Sequence, residues 1–152
     1  MRSRRLVREL AVGFVAATAV SFAAGVRADD AVDYDLARMG EAHYRTYCAS
    51  CHGLAGRGDG PASVALKTPP ADLTRIAARR GGSFPDGEIA MFIDGRFDVG
   101  AHGTREMPIW GERFGESVPE AGVGESLARG KVAVLVEYLK SIQERDGTGS
   151  GR

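Results

Sequence analysis

Five residues, Cys48-Ala49-Ser50-Cys51-His52, constrain this chain more than any other feature, because they hold both of its cysteines and one of its three histidines. A C-x-x-C pair serves several chemistries, and its neighbours decide between them. At a thioredoxin-like site the pair follows a strand of a βαβ unit. Here a helical pattern precedes it, and no convincing strand is legible in the sequence. A structural zinc site needs two more Cys or His ligands at metal-binding spacing, and outside the motif the chain offers only His43 and His102. A Cys48–Cys51 disulfide would close too short a loop to restrict the unfolded chain much. The histidine directly after the second cysteine favours another reading, since C-x-x-C-H is the attachment signature for c-type haem. Each thiol can add to one vinyl group of the ring, and His52 can approach the iron from the same face. Cys48, Cys51 and His52 would thus fix both the ring and one axial ligand.

Covalent attachment of this kind takes place outside the bacterial cytoplasm, and the N-terminal residues agree with export. Arg2, Arg4, Arg5 and Arg8 form a charged opening, Leu10 to Val26 is apolar and rich in small residues, and Val26-Arg27-Ala28 is a small-x-small site. This order predicts a secretory signal peptide over residues 1–28, cleaved after Ala28, and hence a periplasmic protein. As a membrane span the apolar stretch would be at the short limit and poor in large side chains, so cleavage is favoured over anchoring. The rest divides into one domain, 29–145, and a tail, 146–152, whose sequence DGTGSGR predicts disorder. The whole chain balances 20 Lys plus Arg against 20 Asp plus Glu. Removal of residues 1–28 takes away five basic residues and one acidic one, leaving 15 against 19, or −4. That balance argues against nucleic acid as a partner, because no net basic charge is available to displace counterions from phosphates.

Helical periodicity accounts for most of the domain. Asp35 to Ala49 places Leu36, Met39, Ala42 or His43, and Tyr47 at helical spacing, with Asp33 or Asp35 as cap. The glycine-dense run Gly53 to Gly60 ends regular structure, and Pro61 to Lys67 reads as a short helix stopped by Pro69-Pro70. Asp72 or Ser83 is placed to cap later turns. Asp86 to Asp94 forms a second helix with Ile89, Phe92 and Ile93 on one side and Gly95 as its stop. Gly95 to Ala128 reads mainly as loop, of a length unusual in so small a domain unless it packs on something other than protein. The last helix, Leu127 to Gln143, buries Val132, Leu135, Val136 and Leu139.

Further positions carry a family resemblance. Gly40 stands eight residues before Cys48 and Tyr44 four before it, while Leu135 and Tyr138 lie three apart in LVEYLK. With C-x-x-C-H, this set resembles the class I c-type cytochromes, and in particular the bacterial periplasmic monohaem members, over residues 36 to 144. The resemblance implies an all-α cytochrome c fold in which three main helices and long loops pack around one covalently attached haem. It also gives Gly40 a purpose, because a glycine inside a helix costs about 1 kcal/mol relative to alanine and a close helix crossing would offset that.

The resemblance further implies a thioether ligand on the far side of the iron, from a Met-Pro loop ahead of the final helix. Met107-Pro108-Ile109-Trp110-Gly111, 55 residues after His52, is similar to that pattern. Its rival is His102. Met39, on the first helix, and Met91, in a helical apolar setting, read as packing residues, and His43 reads as a helix-surface residue. In the family a backbone carbonyl, usually of a proline, orients the proximal histidine; Pro61 is the foremost candidate, ahead of Pro69 and Pro70. Trp110 would either hydrogen-bond a propionate or fill core. Arg75, Arg79 and Arg80 would be solvated, or pair with propionates or a partner. Together these implications describe a periplasmic one-electron carrier with one haem c and His52/Met107 ligation, not an enzyme, whose partners are a dehydrogenase, oxidase or reductase. The alternatives are an electron-transfer subunit of such a complex, and a haem enzyme or gas sensor.

Overall fold

The computed structural model describes residues 31–96, 107–116, 118, 120 and 122–144. The proposed signal peptide, the C-terminal tail, His102 and residues 97–106 lie outside the described residues. The described part is all-α, as expected, with helices α1 (Tyr34–Tyr47), α2 (Ala49–His52), α3 (Ile76–Arg79), α4 (Asp86–Asp94), α5 (Trp110–Gly115) and α6 (Val123–Ser141) and two short 3₁₀ turns. None of the described helices is long and apolar enough to cross a membrane.

Helix α1 begins where Asp33 accepts from the backbone N–H groups of Asp35 and Leu36, both at 3.1 Å, which satisfies donors with no partner inside the helix. Its buried face is Ala37, Gly40 and Tyr44. The periodicity had pointed instead to Leu36 and Met39, yet these are exposed. Small residues are buried here because α6 crosses so closely. A Cβ on Gly40 would lie 1.9 Å from the Val134 carbonyl oxygen and 2.8 Å from Tyr138 Cβ, so no larger residue fits without the helices separating. One turn further on, Tyr44 is fully buried with its ring 4.9 Å from that of Tyr138. Along α6 the expected Val132, Leu135, Val136 and Leu139 are all buried.

Helix α4 spans the residues its sequence indicated and stops at Gly95 in the left-handed region (φ 72°). Its cap position is Pro85, which makes no side-chain bond, so Ser83 has no capping role there. Asp72 does cap, accepting from Thr74 N–H at 2.9 Å. Only Ser63–Ala65 of the proposed Pro61–Lys67 helix is helical, as a single 3₁₀ turn.

The largest departure concerns Gly95 to Ala128. Helix α5 falls inside this stretch, and α6 starts four residues early, at Val123. The glycines that suggested loop serve helix contacts. A Cβ on Gly124 would lie 2.7 Å from the Gly115 oxygen, and one on Gly115 would lie 3.1 Å from the Gly124 oxygen. Helix α5 also completes an aromatic cluster in which Phe114 packs on Trp110 and on Tyr47 of α1, with ring centroids 5.4 and 5.1 Å apart.

Candidate functional site

The C-x-x-C-H segment leaves α1 without a break in hydrogen bonding. Cys48 N–H bonds to the Tyr44 carbonyl at 2.9 Å and His52 N–H to the Cys48 carbonyl at 2.9 Å, so the motif forms the single turn α2. The glycine-rich loop then folds back on it. Gly58 N–H bonds to the His52 carbonyl at 2.8 Å, Gly60 N–H to that of Cys51 at 3.1 Å, and Ala62 N–H to that of Ser50 at 2.8 Å. Gly58 is required twice over, by its φ of 81° and because a Cβ there would lie 2.3 Å from the Pro70 oxygen.

That contact brings the chain after Pro70 under the histidine. His52 Nδ1 lies 3.0 Å from the carbonyl oxygen of Ala71. A carbonyl only accepts, so Nδ1 carries the proton and Nε2 keeps the lone pair a metal needs. None of the three prolines plays this part. Pro61 lies in the loop that folds back on the motif, between Gly60 and Ala62, and is exposed, and the Pro70 oxygen faces Gly58 instead. Tyr44 supplies a bond no spacing rule indicated, its hydroxyl donating to the Gly53 carbonyl at 2.7 Å. Burial lowers the His52 pKa, opposed by the bond to Ala71. Burial also pushes the Cys48 thiol up to about 12, with Cys51 adding to the effect. Both sulfurs are free.

Beside the motif lies an apolar cavity of about 360 Å³. Its walls are Tyr44 and Cys48 of α1 and its end, His52 of α2, Leu73 and Ile76, then Ile89, Phe92 and Ile93 of α4, and Leu135 and Leu139 of α6. Met107 lines it too, so residues 55 apart in sequence border one space. Arg79 and Arg80 also border it. Arg79 donates to the Asp72 carbonyl at 2.8 Å and Arg80 pairs with Glu88. Met39 and Met91 are exposed, so Met91 is not the core filler its setting suggested. His43 stacks on Tyr47 with centroids 6.1 Å apart. Trp110 packs against Tyr47 and Phe114 and is not among the residues lining the cavity.

The donor set fits a haem. An apolar space bordered by a thiol, an imidazole with Nε2 unprotonated and a thioether has the donor chemistry that such a group would need. Among the described residues no group of three His, Cys, Asp or Glu side chains gathers that could hold a metal ion without such a ring. The sequence model of a protein family described as cytochrome c oxidase, cbb3-type, subunit III matches residues 35–118. No protein of curated function and no solved structure matches the chain.

Proposed function

We propose, on the premise that this chain belongs to the c-type cytochrome family described as cytochrome c oxidase, cbb3-type, subunit III, that it is a periplasmic one-electron carrier with a single haem. Haem-based electron transfer follows from the family; the finer reading rests on the site. Cys48 and Cys51 would hold the ring by thioether bonds, His52 through Nε2 and Met107 through Sδ would hold the iron, and the bound group would supply the Fe(III)/Fe(II) couple. The observation that carries this is the meeting of Cys48, His52 and Met107 at one apolar cavity. Each residue then has a defined task. Ala71 fixes the His52 tautomer, the aliphatic walls exclude water and keep the local dielectric low, and Met107 as a ligand would keep small ligands from the iron. Arg79 and Arg80, at the border of the cavity, are placed to offset negative charge on a haem edge.

The family description favours one second reading, a subunit that passes electrons within an oxidase complex. Purification after export, followed by intact mass, a redox titration and stopped-flow oxidation by membranes of the source organism, tests both. A carrier gives one haem added to residues 29–152, no CO binding without mutation, and oxidation that slows as salt screens its net charge of −4. Oxidation seen only within a stable stoichiometric complex would establish the subunit instead. Rapid CO binding by the unmodified protein would point to an enzyme or sensor.

A further inference from the structure

Outside the cavity, one residue from each of three helices meets Arg96, just beyond the end of α4, in a cluster that electron transfer does not itself use. Asp94 ends α4 and is buried. The Arg96 guanidinium donates to both of its carboxylate oxygens, Nε to Oδ1 at 2.7 Å and Nη2 to Oδ2 at 2.6 Å. The same guanidinium reaches Glu125, in the first turn of α6, through Nη2 at 3.1 Å and through Nη1. Gly111, in the first turn of α5, lies directly on the pair, since a Cβ there would sit 2.5 Å from both Arg96 Nε and Asp94 Oδ1. Asp94, Arg96 and Glu125 are not among the residues that line the cavity.

We propose that Arg96 is the positioning residue for Met107, joining the end of α4, the start of α5 and the start of α6 so that the thioether is held at the cavity. Met107 is separated from Gly111 by three residues, one of them Pro108 with its fixed φ. On the other side, Phe92 and Ile93 of the cavity wall run directly into Asp94. The clamp therefore sets where the Met107 segment stands relative to that wall. A thioether is a weak, neutral ligand that competes with imidazole or water, so its ligation depends on being held in place. A bidentate guanidinium is suited to that role where a lysine is not, because one ammonium cannot span both carboxylates. The inference rests on Met107 being the ligand.

The test uses the full chain with haem attached and compares wild type with Arg96→Gln, Arg96→Lys, Glu125→Gln and, as control, Arg45→Gln. Arg45 pairs with Glu41 on the surface of α1. The readouts are the thioether-to-iron charge-transfer band of the ferric protein and its affinity for added imidazole, both well below the melting temperature. Arg96→Gln should weaken the band and tighten imidazole binding about tenfold or more, in line with the loss of charged hydrogen bonds. Arg96→Lys should lie between it and wild type, Glu125→Gln should shift the same way by less, and Arg45→Gln should change nothing. Band and imidazole affinity unchanged in Arg96→Gln, even with a lower melting temperature, would overturn the proposal. Should that variant fail to accumulate, Glu125→Gln decides by the same readouts. A wild-type spectrum without thioether ligation would bring down the Met107 reading and this one together, whereas an intact wild-type band that ignores Arg96 sinks this one alone.

Discussion

A single backbone carbonyl, that of Ala71, determines which nitrogen of His52 remains free for a metal. No side chain marks that carbonyl in the sequence, which explains why the motif was legible and its orienting partner was not. The thioether is the reverse case, since Pro108 singled out Met107 in the sequence and the structure sets Met107 at the cavity that His52 also lines. Met107→Ala should open the sixth position, lower the reduction potential and admit CO or imidazole, whereas Met39→Leu and Met91→Leu, at exposed positions, should leave spectrum and potential nearly unchanged. A redox titration with a CO difference spectrum checks this. If the wild-type spectrum shows two imidazoles and His102→Ala abolishes them, the assignment passes to His102.

At the scale of elements, the crossing of α1 and α6 is held open to no side chain larger than hydrogen at Gly40. Gly40→Ala should lower stability by about 3 kcal/mol, because the obstacle is the Val134 backbone oxygen and cannot rotate away. Chemical denaturation would show it as a lower midpoint at unchanged slope. This crossing was readable because its glycine sits at a fixed distance from a motif. The crossing of α5 and α6 was not, since Gly115 and Gly124 carry the same letter whether they mark a turn or a contact. The end of α4 adds a pH dependence. The Asp94 carboxyl is held below its ordinary range chiefly by hydrogen bonding to the Arg96 side chain, against the opposing effect of burial. Its contribution is thus fully present above the carboxylate range and lost as pH falls through it and below, where the unfolded chain takes up the proton first. Melting curves from neutral to acid pH should therefore fall less steeply for Asp94→Asn, from a lower start. Some slope should remain, because Asp72, bonded to Thr74, is depressed as well.

The whole molecule is closed by its last helix. Helix α6 crosses α1, packs on α5 and supplies Leu135 and Leu139 to the cavity, yet it begins at Val123, long after the cysteines in chain order. Long-range contacts of this kind are the slow ones to form. The order of synthesis therefore gives folding two stages. While the last thirty residues are still arriving, Cys48 has no α6 to pack near; once α6 docks, the half-buried thiol packs against the core and burial pushes its pKa up to about 12. Since the thiolate is the reactive form of a cysteine, ring attachment under the proposed function would fall in the first stage and coordination by Met107 in the second. A chain ending at Gly122 should accordingly still emerge with one haem covalently bound by mass, but without the thioether charge-transfer band. Complete absence of bound haem from that truncated chain would mean that closure comes first. Under the proposed function α6 would thus be the last checkpoint in maturation, admitting the cofactor early and sealing it late.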